Sequence, residues 1–69
     1  MLWKDKYDLS TSDKILLKYA ARGLTNEEIG KKMYISEHTV KAHLARIFKQ
    51  YGVNNKASAV YIAAKLHLI

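Results

Sequence analysis

Four times in 69 residues the chain offers a side chain suited to cap a helix, and twice a glycine closes the apolar run that follows. Ser10 or Thr11 stands ahead of Asp13 and the stripe Ile15, Leu16, Tyr19 and Ala20, with Gly23 behind it. The cap oxygen satisfies backbone N–H groups that the first helical turn leaves without partners, and an acid in that turn suits the helix dipole. Thr25 to Glu28 is a T-x-x-E capping box ahead of Ile29 and Met33. Ser36 precedes Val40, Leu44, Ile47, Phe48 and Tyr51, spaced i, i+4, i+7, i+8, i+11, and Gly52 follows. Asn55 caps a last segment through about Leu66, with Ala59, Ile62, Ala63 and Leu66 on one face. The punctuation predicts an all-α fold of four short helices, with residues 1–9 as a segment docked through Leu2, Trp3 and Tyr7 and residues 10–69 as the domain. Helices this short are marginal alone and must pack on one another. Gly30, inside the second helix, is about 1 kcal/mol worse than alanine there. It predicts that another helix passes too closely for a side chain.

A core built from so short a chain needs efficient helix packing or an added constraint. The absence of cysteine removes disulfides and thiolate metal sites. No run approaches the roughly 18 apolar residues of a membrane span, and MLWKDKYD lacks the apolar core of a secretion signal. A cytoplasmic protein is expected. The charge is distributed unevenly. Residues 1–37 carry seven bases and six acids, whereas residues 38–69 carry five bases and no acid. A one-signed half suits a polyanionic partner, although a solubilising basic surface would have the same composition.

The third helix concentrates that charge. At about 100° per residue, its core stripe leaves His38, Lys41, Ala42, Ala45, Arg46 and Lys49 on the far side. Two small residues permit close approach of the backbone, and the cations reach past them. A major groove about 12 Å wide admits one helix with such a face. The second and third helices, joined by a tight turn with the second of the pair longer and basic, form the helix-turn-helix pattern.

The segments TNEEIG, ISEHTVKAH and NKASAV occur together at set spacings, within a match from Leu9 to Ile69. In this the chain resembles the DNA-binding domain of LuxR/GerE-type transcription regulators, also found at the C-terminus of NarL-type response regulators. The resemblance implies a LuxR/GerE-like helix-turn-helix in the second and third helices, a recognition helix over about 37–51, and binding to duplex DNA as a dimer on two half-sites. Carried over by position, Lys41, Ala42 and Ala45 face the bases. Asn26, Thr39, Arg46, Lys49 and Lys56 fall where the family meets phosphate, and Glu37 and His38 stand where either is in reach. The chain departs from the pattern at Ser12, Asp13 and Ile15, which replace an arginine and two glutamates of a structural polar network away from the DNA face. Gly30 replaces an alanine, and Lys56 replaces an arginine, losing its bidentate geometry. Ala45 stands where many members carry a polar reader.

No Ser–His–acid arrangement and no glycine-rich phosphate loop is present, so neither catalysis nor a cofactor is expected. His38 and His43 are five apart and do not share a helix face as a metal pair would. His43 flanks the core stripe and suits packing or capping. On the fourth helix, Val60, Tyr61 and Ala64 lie beyond the core face, where they suit a homodimer seam or contact with the N-terminal segment. An alternative function keeps the fold but docks an acidic protein partner or RNA polymerase on the basic face, with Ala42 and Ala45 offering no hydrogen-bonding reader.

Overall fold

A computed structural model describes residues 7–69. The expected docking of Leu2 and Trp3 lies outside the described residues. The chain forms α1 (Thr11–Ala21), α2 (Asn26–Met33), α3 (Glu37–Tyr51) and α4 (Lys56–Lys65), with no strand among the described residues.

Each helix begins where a short polar side chain turns back on the backbone. Ser10 Oγ accepts from Asp13 N–H at 3.1 Å, and Ser36 Oγ from Thr39 N–H at 3.0 Å. Asn55 Oδ1 accepts from Ser58 N–H at 2.8 Å. At α2 the capping box is complete: Thr25 Oγ1 accepts from Glu28 N–H at 3.2 Å, and Glu28 Oε1 accepts from Thr25 N–H at 2.8 Å. Those bonds hold the Glu28 carboxyl below its ordinary range. Each helix is followed within two residues by a left-handed one: Gly23 (φ 88°), Tyr34 (φ 60°), Gly52 (φ 69°) and His67 (φ 59°). Gly23 and Gly52 are the stops expected from the sequence. Tyr34 and His67 reverse the chain without glycine, and Tyr34 is 95% exposed.

Leu16, Leu17, Ile29, Val40, Leu44, Ile47, Tyr51, Ala59 and Ala63 form the core. α3 lies across α2 and α4, and α1 closes over α4 and α2. The stripe expected on α1 is rotated. Ile15 is 40% exposed, whereas Leu17 is buried and so is Asp13. The inward face runs 13, 16, 17, 20, a helical i, i+3, i+4, i+7 pattern whose first position is a carboxylate. A close approach at Gly30 is present, but it is made by the backbone of the α2–α3 turn and not by a helix passing alongside. A Cβ there would lie 2.7 Å from the carbonyl oxygen of Ile35 and 3.3 Å from the nitrogen of Glu37. The tight α2–α3 turn therefore leaves no room for a side chain.

Candidate nucleic-acid interface

The inner stripe of α3 seats it in the core and fixes what it turns outward. His38, Lys41, Ala42, Ala45, Arg46 and Lys49 are exposed. The structure brings four of the residues singled out in the sequence to one flank of this face. Asn26, the first residue of α2, and Lys56, the first of α4, border a recess with Lys41 and Ala45 of α3, and its floor includes Leu44 and Phe48. Lys56 Nζ donates to Asn26 Oδ1 at 3.0 Å, holding the two helix starts together. The first turn of α4 contains no acid, so its positive dipole end adds to the Lys56 charge at a place suited to an anion. The first turn of α2 carries Glu27 and Glu28, which offset its own dipole end.

Near the start of α3, Lys41 Nζ lies 3.2 Å from Glu37 Oε2, an exposed pair one turn apart. Pairs of this kind contribute only a few tenths of a kcal/mol, so Lys41 can leave Glu37 for a stronger acceptor. The Thr39 hydroxyl lies 2.9 Å from Ser36 Oγ inside the cap. Ala42 and Lys49 occupy the middle of the outward face.

The opposite flank differs from expectation in what it holds. Arg46 Nη2 donates to Asp13 Oδ1 at 2.7 Å and Oδ2 at 2.8 Å. Asp13 is 1% exposed and is the buried charged side chain among the described residues. His43 Nδ1 lies 3.3 Å from the same guanidinium nitrogen and 3.5 Å from the carboxylate. The polar network at Asp13 therefore reaches across to α3 and engages a residue that the resemblance places on phosphate. Two further bonds run from the C-terminal half of α3: Gln50 Nε2 donates to the Asp8 carbonyl at 2.6 Å, and Tyr51 Oη to the Tyr7 carbonyl at 2.8 Å. The Tyr7 and Tyr51 rings meet edge to face at 5.3 Å. Sequence reasoning missed Gln50 and the tie at Asp13. The 13-16-17-20 register of α1 turns Asp13 inward, but nothing local to it marks Arg46 as its partner.

On α4, Val60 is half-buried, Ala64 is exposed, and Tyr61 is 63% exposed. Lys65 Nζ sits 5.7 Å from the Tyr61 ring centroid. No described helix is long and apolar enough to cross a membrane.

Residues 8–63 match the family model described as "Bacterial regulatory proteins, luxR family". Among curated relatives, the HTH-type transcriptional regulator AlkS of Alcanivorax borkumensis is 47% identical over 45 residues, 65% of this chain and 5% of that protein. The CsgBAC operon transcriptional regulatory protein of Escherichia coli is 40% identical over 52 residues, 75% of this chain and 24% of the relative. The transcriptional regulatory protein YhcZ of Bacillus subtilis is 35% identical over 66 residues, 94% of this chain and 31% of the relative. This chain thus spans less than a third of the length of each. The crystal structure of the response regulator ChrA, from a heme-sensing two-component system, superposes with a TM-score of 0.85 at 37% identity. That match covers 90% of this chain and 31% of ChrA. With helix-turn-helix geometry, caps and sequence all in register, the chain belongs to the luxR family of bacterial regulatory proteins, as a DNA-binding domain of transcriptional regulators.

Proposed function

We propose that this domain reads a specific duplex DNA sequence by laying α3 in the major groove, and that it does so as a dimer on two half-sites in the bacterial cytoplasm. The observation that carries the reading is the exposed face of α3, where Ala42 and Ala45 lie among Lys41, His38 and Lys49 on a helix seated by four buried side chains. Lys41, Ala42 and Ala45 then meet base edges or a thymine methyl group. Lys49, Asn26 and Lys56 meet phosphate, with Thr39, Glu37 and His38 near the groove edge. Residues 10–69 form the reading domain.

Dimerisation follows from arithmetic and from the surface of α4. One recognition helix with a single long donor at base-facing positions discriminates by about 1–3 kcal/mol per good bidentate contact. A second copy doubles the contacts and makes the second binding event effectively intramolecular. Val60, Tyr61 and Ala64 offer a small self-complementary patch, with Lys65 at its rim. Such a patch suits a weak solution dimer that tightens on a palindromic site.

A second reading is favoured by the exposed Ala42 and Ala45, which offer no hydrogen-bonding side chain at two of the three base-facing positions. In it the same face docks an acidic protein surface, such as one on RNA polymerase. Selection of bound sequences from a random duplex pool, followed by salt titration on the recovered site, separates the two. A recovered motif with steep salt dependence supports DNA reading. Failure to enrich any sequence, with weak binding to all duplexes, overturns it.

A further inference from the structure

We infer that Arg46 is a positioning residue of the reading helix rather than a phosphate contact: its guanidinium, neutralised on buried Asp13, fixes the roll of α3 against the start of α1. The inference rests on the DNA-binding reading for its consequence, but its geometry does not. Asp13 sits on the inward side of α1 beside Leu16 and Leu17, where water cannot solvate it. A buried carboxylate deprived of its partner is strongly destabilising, so Arg46 cannot leave Asp13 for a phosphate without exposing that penalty. One nitrogen, Nη2, serves both carboxylate oxygens at 2.7 and 2.8 Å, and His43 closes the third side. The tie does not stand alone. Gln50, one turn beyond Arg46, and Tyr51, at the C-terminal end of the inner stripe, bond the carbonyls of Asp8 and Tyr7. Three attachments from the C-terminal half of α3 to residues 7–13 resist rotation of α3 about its own axis. A roll of about 20° would carry side-chain ends, roughly 5–6 Å from a helix axis, through about 2 Å. That is enough to break hydrogen bonds to base edges.

Electrostatics point the same way. The salt dependence of DNA binding counts the phosphates that protein cations neutralise. A guanidinium already neutralised by an internal carboxylate releases no counterion, so Arg46 is absent from that count, in contrast to Lys49.

Two double variants of the full chain test the inference, and both keep the formal net charge of +6 because each removes one acid and one base. D13Q/R46Q replaces the ion pair with two amides, the added methylene at position 13 offsetting the shorter reach at 46. D13A/R46A removes the tie. Binding is measured by fluorescence anisotropy from low to high salt, on the duplex recovered by wild type and on a mixed-sequence duplex of equal length. The expected result is that D13Q/R46Q binds within about threefold of wild type with an unchanged salt slope. D13A/R46A loses about tenfold or more on the recovered duplex, also with unchanged slope. A slope lower by about one unit in D13Q/R46Q overturns the inference, since Arg46 would then reach phosphate through Nε or Nη1. Wild-type affinity in folded D13A/R46A also overturns it.

The amide ¹H–¹⁵N shifts of residues 38–49 provide a readout without DNA. They move in D13A/R46A and stay near wild type in D13Q/R46Q if the tie sets the roll, and unchanged shifts in D13A/R46A overturn it. If D13A/R46A fails to fold, the slope of D13Q/R46Q decides. If wild type binds no duplex, the DNA reading fails and the shifts alone decide the role of Arg46.

Discussion

Ala42 has no hydrogen-bonding side chain, and on the proposed reading face that lack is its use, because it lets the α3 backbone approach the groove floor. Ala42→Glu adds length and negative charge there while touching nothing in the core. It should abolish duplex binding and leave the helical circular dichroism spectrum unchanged. Normal binding by this variant would move the reading surface elsewhere. Tyr51 is the opposite kind of residue, buried and bonded to the Tyr7 carbonyl. Burial first, then the charges of Asp13 and Asp8 and the Tyr7 phenol, push its own phenol from 10 up to about 12. A raised folded-state pKa favours the protonated form in the native state. The associated stability is therefore complete below pH 10 and is lost as pH rises through about 12. Tyr51→Phe should cost about 1 kcal/mol at pH 7 from the lost hydrogen bond. Between pH 10 and 12, wild type should lose more stability than Tyr51→Phe in urea unfolding. Parallel alkaline curves for the two proteins would show that the phenol titrates normally.

At the scale of the helix, the proposed reading places the affinity on α3. Lys49→Ala should weaken binding to every duplex to a similar degree and lower the salt slope by about one unit. An unchanged slope would return Lys49 to a solvated face. How much of these elements the sequence disclosed depended on whether their determinants were local. The bounds of α3 were legible because Ser36, Gly52 and a five-membered apolar stripe all lie within the helix or beside it. The α2 capping box was legible for the same reason. The inward face of α1 was not, because a carboxylate holds its first position and polar residues do not count toward an apolar stripe. Its partner Arg46 lies 33 residues away, with no local pattern to announce it. The chain reversal at Tyr34 was hidden because tyrosine does not ease a left-handed backbone. Of the candidate interface, the outward face followed from periodicity. The contact of Lys56 with Asn26 required two helix starts to meet in space.

In the whole molecule, α4 is the element with surface to spare. Tyr61→Glu should reduce cooperative binding to a two-half-site duplex and spare binding to a single half-site, as read by sedimentation and gel-shift titration. Unchanged cooperativity would remove α4 from the proposed seam. The order in which the helices are threaded has a consequence for time. α1 and α2, α2 and α3, and α3 and α4 are neighbours along the chain as well as in the packed core. The pairings of α1 with α3 and with α4 join segments that are not consecutive, and α1 with α4 spans the longest stretch of chain. Chains dominated by such short-range closure fold in microseconds to milliseconds. Docking of α1 on α4 requires the largest loop and has the least to gain early, so it belongs after the rate-limiting barrier. Ala63→Gly in temperature-jump relaxation should therefore accelerate unfolding and leave the folding rate nearly untouched, while Val40→Ala should slow folding. The helix-turn-helix would assemble first, and the segment that steadies it would arrive last.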